Sequence, residues 1–235
     1  MKHSGEARRA ALRLIFLTLA AVCGIGLLGV VLHWASAVAI FLGGLLVVLA
    51  LVLACVWVLF VLFTLYFFRD PNAKTPVGPG LVVCPGHGKV DIIDQLSSSQ
   101  FPGGPCHRIS MFLSVIDIHV QNAPISGKVI SVTHTAGKFI NAMEADSALY
   151  NENVLIGFDS SETPGEKIGV RLIAGVLARR IVPFVKGGDE VQRGERISLI
   201  QFGSRCDLYL PLEYKIKVKV GDKVVGGETV MAARS

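Results

Sequence analysis

The pair Gly203-Ser204 lies at the centre of "LIQFGSRCDLYLP", residues 199–211, where one β-like run passes into another. Glycine lacks a Cβ, so the Ser204 hydroxyl can closely approach the Gly203 carbonyl. Attack of Oγ on that carbon shifts the acyl group from nitrogen to oxygen. Elimination of the ester leaves dehydroalanine, which hydrolyses to a pyruvoyl group at a new amino terminus. Strain at the bond would favour this reaction, although most Gly-Ser pairs are simple turns.

A mainly β region surrounds the pair and repeats itself. "VKGGDEVQRGERI" at 185–197 returns as "VKVGDKVVGGETV" at 218–230, a spacing of 33 residues. In each copy Gly-Asp predicts a tight turn, and alternating valines predict an inward-facing side. We therefore expect the two halves of a barrel-sandwich hybrid, a small lipoyl-like β-domain, unless the echo is a coincidence of two hairpins. The segment "VRLIAGVLARR" is predicted as a short helix or a strand pair.

The amino-terminal part predicts a membrane anchor. From Leu14 to Phe68 the chain has no Asp, Glu, Lys or Arg. One helix through that stretch would be about 80 Å long against a hydrocarbon core of about 30 Å, so we expect a helical hairpin that turns at residues 33–36. Ala35-Ser36-Ala37 also resembles a signal-peptide cleavage site, the alternative interpretation, but the preceding apolar run is too long for one.

The predicted organisation is an anchor at 1–68, a stiff Pro/Gly-rich linker at 69–80 and a β-domain at 81–235. The net charge of +5 suits work beside an anionic leaflet, and scattered Lys and Arg argue against nucleic-acid binding. Five cysteines without C-x-x-C spacing predict neither a disulfide framework nor a zinc site, and we expect no metal. Basic residues flank both ends of the hairpin, which predicts that both ends and the β-domain are cytoplasmic, at the inner membrane.

Four stretches resemble the phosphatidylserine decarboxylase proenzymes, in particular their short membrane-associated prokaryotic class. These stretches are "YFFRDPNAKTP", "VVCPGHGKV", "FLSVIDIHVQNAPISGKV" and "RLIAGVLARRIVPFVKGGDEVQRGERISLIQFGSRCDLYLP". The resemblance implies cleavage between Gly203 and Ser204 into a β chain, 1–203, and an α chain, 204–235, that stay together. It also implies a pyruvoyl cofactor made from Ser204, whose ketone forms a Schiff base with the amine of phosphatidylserine and takes up the electrons released with CO₂.

The resemblance assigns acid-base duty to His119, whose imidazole titrates near neutrality; the alternative is a plain strand-edge histidine. The chain departs from the family at His87, where "PGHGKV" replaces the usual "PADGKV" and its orienting aspartate. Either His87 orients His119 as a neutral acceptor, or Asp91 or Asp117 replaces the missing carboxylate, or cleavage is slow or absent. Loss of an orienting carboxylate costs about 10⁴ in a catalytic triad, but self-cleavage happens once per molecule.

The expected partners are phosphatidylserine and membrane lipid, and a homo-oligomer is left open. Arg179, Arg180 and Lys128 are candidates to hold the phosphate or carboxylate, unless they form a solvated basic face. Two other functions are to be weighed: a processing-deficient homologue, and a non-catalytic membrane-anchored lipoyl-like module. A carrier would need a modifiable lysine at a hairpin tip, and Lys223 follows Gly221-Asp222. One uncut chain would favour these alternatives.

Overall fold

A computed structural model of the chain describes residues 6–33, 37–101, 103–138, 150–175, 180–201 and 204–234. The chain forms two compact units, one of which is Gly5–Arg69 and the other of which contains Asp70–Ser235. The first of these units holds two apolar helices and the second holds a mainly β fold, as the sequence predicts.

The first unit is a pair of helices, α1 (Glu6–His33) and α2 (Ala37–Phe67). Arg8–Val31 and Ile40–Phe67 are long and apolar enough to cross a membrane. The helices approach closely at glycines, since a Cβ on Gly43 would lie 2.6 Å from the backbone nitrogen of His33. Trp57 Nε1 also donates to Thr18 Oγ1 across the pair, at 2.5 Å. The predicted helical hairpin is confirmed, while the residues of its turn, 34–36, lie outside the described ones.

The described part of the second unit is built from short and medium strands, listed here in chain order: β1 (Leu81–Val83), β2 (Gly88–Ser99), β3 (Gly104–Leu113), β4 (Val120–Asn122), β5 (Gly127–Thr135), β6 (Asn153–Ser160), β7 (Lys167–Ala174), β8 (Ile181–Pro183), β9 (Glu190–Val191), β10 (Arg196–Ile200), β11 (Ser204–Pro211), β12 (Tyr214–Ile216), β13 (Lys223–Val224) and β14 (Val230–Arg234). Strand β7 takes up residues 170–174 of "VRLIAGVLARR", so the strand interpretation is right for them and the helix is wrong.

The strand order shows that the β-domain consists of two equivalent halves. The large sheet has the order β13-β2-β3-β11-β7-β6-β5-β9, and the two small sheets have the orders β1-β14-β12 and β4-β10-β8. Exchange of β2 with β5, β3 with β6, β11 with β7 and β13 with β9 leaves the order of the large sheet unchanged. Exchange of β1 with β4, β14 with β10 and β12 with β8 converts one small sheet into the other. Packed between the sheets is one apolar core that includes Val90, Ile109, Val129, Phe158 and Leu208.

The repeated segments form the same turn in both halves. Lys186 N donates to Asp189 Oδ2 at 2.9 Å, and Lys219 N donates to Asp222 Oδ2 at 3.0 Å. Gly188 and Gly221 have φ of 97° and 98°, the left-handed region that favours glycine. Both glycine N–H groups then donate at 2.8 Å to the equivalent strands, Gly188 to Val129 and Gly221 to Val90. The echo of 33 residues therefore marks equivalent turns, as predicted.

The predicted linker follows the surface of the β-domain closely. Arg196, whose side chain is 2% exposed, donates through Nε to both carboxylate oxygens of Asp70, at 2.6 and 2.7 Å. Its Nη2 donates to Asn72 Oδ1 at 3.1 Å. Further along, Arg193 donates to the carbonyls of Gly78 and Leu81. Two arginines from the segment 185–197 thus fix the linker.

Most of the polar stretch 97–107 belongs to two strands. Strand β2 continues to Ser99 and β3 begins at Gly104, which leaves a short turn. Phe101 in that turn is 8% exposed. A Cβ on Gly157 would lie 2.6 Å from its ring, and one on Gly169 would lie 3.0 Å from its Cβ. The ring therefore packs on the bare backbone of β6 and β7 rather than projecting outward.

Candidate functional site

Ser204 is the first residue of β11, near the middle of the large sheet. It pairs with Leu113 of β3 on one side and with Ala174 of β7 on the other. Its side chain is fully buried, and its Oγ has no hydrogen-bond partner among the described residues. A buried hydroxyl normally forms such a bond, so an unpartnered Oγ marks a candidate for chemistry. Gly203 lies outside the described residues.

His119 is held in one orientation by the residues just before it. Its ring Nδ1 lies 2.9 Å from the carbonyl oxygen of Asp117. A carbonyl only accepts, so this geometry assigns the proton to Nδ1 and leaves the lone pair of the neutral ring on Nε2. The histidine is 1% exposed. The structure therefore presents His119 as a shielded imidazole in the tautomer that a general base needs.

Two connections place His119 and Ser204 at the same end of the sheet. The segment from Ser114 to His119 leaves β3 directly after Leu113, the partner of Ser204. Its turn is closed by Ser114 N, which donates to Asp117 Oδ2 at 2.8 Å. The carbonyl of His119 then accepts from the N–H of Ile200 at 3.0 Å, and Ile200 ends β10 shortly before Ser204.

His87 occupies a different position, in the connection between β1 and β2. It lines a cavity of about 210 Å³ together with Ile118 and Val120, the two neighbours of His119. Linker residues Asp70, Pro71 and Ala73 form another wall of this cavity. A Cβ on Gly226 would lie 3.0 Å from His87 Cδ2, so the imidazole packs against the second repeated segment.

The two carboxylates that were candidates to orient His119 have other bonds. Asp91 binds the guanidinium of Arg205, with Oδ1 at 3.1 Å and Oδ2 at 2.6 Å. Asp117 does orient His119, but through its carbonyl, because its carboxylate closes the turn at Ser114. The orienting acceptor next to His119 is thus a backbone oxygen, which the sequence reasoning did not consider.

Known proteins resemble this chain over most of its length. A sequence model of the family described as phosphatidylserine decarboxylase matches residues 60–232. The chain belongs to the phosphatidylserine decarboxylase family. Curated relatives named phosphatidylserine decarboxylase proenzyme include that of Desulfotalea psychrophila, 42% identical over 77% of this chain and 83% of the relative. Others are that of Pelobacter propionicus, 39% identical over 76% and 80%, and that of Syntrophus aciditrophicus, 42% identical over 72% and 78%.

For this enzyme of the decarboxylase family, the structure separates the basic residues that the sequence singled out. Lys128 is the second residue of β5 and lies opposite Asp159 and Glu190. Asp159 in turn pairs with Lys167, at the end of β7 that lies away from Ala174 and Ser204. The structure therefore does not bring Lys128 together with Ser204. Arg180 is exposed, and its carbonyl accepts from Gln201 N at 3.2 Å, close to Ser204 in the chain. Arg179 lies outside the described residues.

Sequence reasoning missed the polar residues beside Ala174. Asn151 Nδ2 donates to the Ala174 carbonyl at 2.7 Å, and Ala174 N donates to the Glu152 carbonyl at 2.9 Å. Asn153 Nδ2 donates to the Asn151 carbonyl at 3.0 Å. All of these bonds support the strand that flanks Ser204. In sequence, "YNENV" resembles an ordinary turn, so only the fold assigns these asparagines to the site.

Burial sets the protonation of the other reactive groups near Ser204. Burial raises the pKa of the Cys84 thiol to about 12 and also raises that of Cys206. Both thiols remain protonated at neutral pH and are poor nucleophiles. Burial likewise raises the pKa of Asp207, against the opposing effects of a hydrogen bond from Ser110 and of nearby Arg108, Arg205 and Arg171. The Cys84 and Cys206 thiols therefore do not compete with the Ser204 hydroxyl as nucleophiles.

Proposed function

We propose that this protein converts phosphatidylserine to phosphatidylethanolamine and CO₂ with a pyruvoyl group made from its own Ser204. The group arises by self-cleavage between Gly203 and Ser204, which yields a β chain, 1–203, and an α chain, 204–235. The observation that carries the proposal is the fully buried, unpartnered Ser204 Oγ at the end of the sheet that also holds His119. The family and its proenzyme relatives support the same reaction.

Self-cleavage requires a base and a fixed nucleophile. His119 Nε2 accepts the proton of Ser204 Oγ as the oxygen attacks the Gly203 carbonyl, and the amide nitrogen of residue 204 becomes a free amine. Removal of the Cα proton of Ser204 then expels the Gly203 carboxylate and leaves dehydroalanine. Water replaces its nitrogen, which departs as ammonia, and a ketone remains. The environment suits this sequence, because the ladders to Leu113 and Ala174 fix the backbone and the shielded imidazole supplies the proton acceptor.

Ser204 is also well placed to hold the resulting cofactor. A pyruvoyl group at this position supplies a ketone that condenses with the substrate amine and draws in the electrons released with CO₂. The burial of residue 204 and of His119 excludes bulk water from the reacting atoms. We assign to His119 the proton that is returned to the substrate Cα. Chain cleavage does not release β11, because it lies between β3 and β7 in the sheet.

The anchor and the exposed basic residues fit a lipid substrate. Both helices can span a bilayer, and basic residues near both ends of the pair, Arg8 and Arg69 among them, favour a cytoplasmic β-domain at the inner membrane. We assign recognition of the phosphate or carboxylate to Arg179 and Arg180 rather than to Lys128, because the Arg180 carbonyl accepts from Gln201 N, three residues before Ser204. The family's aspartate is replaced by His87, so we propose that the Asp117 carbonyl supplies the orientation of His119 instead.

The test compares purified wild type with Ser204→Ala in detergent. We expect wild type to show two chains by intact mass, an α chain that starts at a carbonyl-bearing residue 204, and CO₂ release from phosphatidylserine. Ser204→Ala should remain one chain and release none. Ser110→Ala is the matched control, because Ser110 is another buried serine of the same sheet. The proposal fails if Ser204→Ala equals wild type in both assays. An uncut, inactive wild type would favour the processing-deficient homologue or the lipoyl-like module.

A further inference from the structure

Arg205, the residue directly after the proposed cofactor, is buried and has a carboxylate partner. Its side chain is 3% exposed, and its guanidinium binds Asp91 at two points, Nη1 to Oδ1 at 3.1 Å and Nη2 to Oδ2 at 2.6 Å. Planar two-point pairs of this kind fix direction as well as distance. The backbone of Arg205 pairs with Phe112 on β3, and Phe112 pairs with Lys89 on β2. The side chain therefore crosses one strand to reach Asp91.

The position of Asp91 depends on an irregularity in β2. The pairing of β2 with β3 passes from Val90–Met111 to Ile92–Ser110, so Asp91 is an extra residue without a partner in the ladder. A β-bulge of this kind redirects a side chain, and bulges are frequent next to active sites. Here the bulge turns the carboxylate toward the guanidinium of Arg205.

The second half of the domain provides an internal comparison. Strand β5 has the same bulge at the equivalent place, between Val129 and Ser131, and its extra residue is Ile130. The residue equivalent to Arg205 is Lys167, which lies two strands from Lys128 just as Arg205 lies two strands from Lys89. An isoleucine cannot form an ion pair. The fold therefore forms the bulge without the pair, and the pair occurs only in the half that contains Ser204.

We infer that Asp91 and Arg205 are positioning residues that hold residue 204 in register, both for self-cleavage and for catalysis. The inference rests on the proposed function. Before cleavage, peptide bonds to residues 203 and 205 hold residue 204 on both sides. After cleavage the bond to residue 203 is gone. Residue 204 is then the terminus of the α chain, and Arg205 is the residue next to it. The bond from its guanidinium to the β chain then limits the movement of the new terminus.

The test measures three quantities in full-length protein in detergent: the rate of chain cleavage, the reactive carbonyl content, and kcat and KM with phosphatidylserine. In Asp91→Asn we expect cleavage to slow by about 10²-fold, since a displacement of about 1 Å at reacting atoms can cost that much. The kcat per reactive carbonyl should fall while KM stays near that of wild type, because the pair does not contact substrate. Asp91→Glu, which keeps the carboxylate, should restore part of both rates.

Asp94→Asn is the matched control. Asp94 is also on β2, and it binds Arg108 through two bonds, Nε to Oδ1 at 2.9 Å and Nη2 to Oδ2 at 2.5 Å. That pair lies further from Ser204 along the sheet, so its loss should leave cleavage and kcat per carbonyl unchanged. If Asp91→Asn does not accumulate, Arg205→Lys provides the test, because lysine keeps a cation but loses the two-point bond, and we expect an intermediate rate.

The outcomes separate this inference from the proposed function. If wild type is cleaved and active, and Asp91→Asn or Arg205→Lys has the same cleavage rate and the same kcat per carbonyl, the positioning role alone is overturned. An Asp91→Asn protein that loses thermal stability but keeps its cleavage rate would overturn it too. An uncut, inactive wild type would overturn the proposed function and the positioning role together.

Discussion

Replacement of Asp70 by alanine should destabilise the β-domain more than its place in a predicted linker suggests. Asp70 is the carboxylate partner of Arg196, and the side chains are 13% and 2% exposed. Removal of one member of a buried ion pair costs about 3–5 kcal/mol, because the other charge stays buried without compensation. Arg196 retains Asn72 Oδ1 and the backbone carbonyls of residues 70 and 71 as acceptors, so we expect the lower end, about 3 kcal/mol.

The assay must report on the β-domain alone. Trp34 and Trp57 both belong to the predicted anchor, so tryptophan fluorescence would follow the wrong unit. Cys84 and Cys206 are fully buried in the β-domain core and are alkylated only when it opens. Pulsed alkylation across a urea series, read by mass, therefore gives the free energy of unfolding. A loss of about 3 kcal/mol raises the equilibrium constant for opening by about 10²-fold.

Glu162→Gln provides the comparison, since Glu162 binds the linker-holding Arg193 but is 31% exposed. An exposed pair is worth about 0–1 kcal/mol, so this variant should change little. Equal free energies of unfolding for Asp70→Ala and Glu162→Gln would refute the view that the buried guanidinium requires Asp70.

Two further predictions concern the site and its surroundings. His119→Gln places an amide near the position of Nε2 but supplies no base, so cleavage and decarboxylation should each fall by about 10²–10⁴-fold. Intact mass measures the loss of cleavage, and the rate of CO₂ release per titrated carbonyl measures the loss of decarboxylation. Asp207 has a raised pKa in the folded protein, so the folded state binds more protons than the unfolded one above the ordinary carboxyl pKa, and stability falls as pH rises through that window. Asp207→Asn should therefore be at its most stable relative to wild type at neutral pH and should lose that advantage toward pH 4 in the same alkylation assay; an unchanged difference across the range would contradict the assignment.

The features that depend on local sequence were predictable. A long stretch without charge can only be a membrane segment or a core, and its length requires one reversal, so α1 and α2 followed from composition. The turns at Gly188 and Gly221 also followed, because Gly-Asp specifies a tight turn without help from distant residues.

The features that depend on distant contacts were not predictable. The bond between Asp91 and Arg205 joins residues 114 positions apart and requires a bulge that no residue type announces. The burial of Phe101 could not be predicted from its neighbours in the chain, because the bare backbones of Gly157 and Gly169, which receive it, come from other strands. The orientation of His119 depends on a backbone carbonyl, which every residue has, so the sequence could suggest only carboxylates.

The placement of strands β11–β14 has a consequence for the lifetime of the enzyme. These strands belong to the large sheet and to one small sheet, so the proposed α chain is interleaved with its partner in both. An intact precursor that unfolds can refold as a single molecule at any dilution. The two-chain product that unfolds must find its other half by collision, and its reassembly then depends on concentration. Maturation would thus make recovery from denaturation a bimolecular process: a dilute active molecule that opens rarely regains its other chain, whereas its precursor refolds alone.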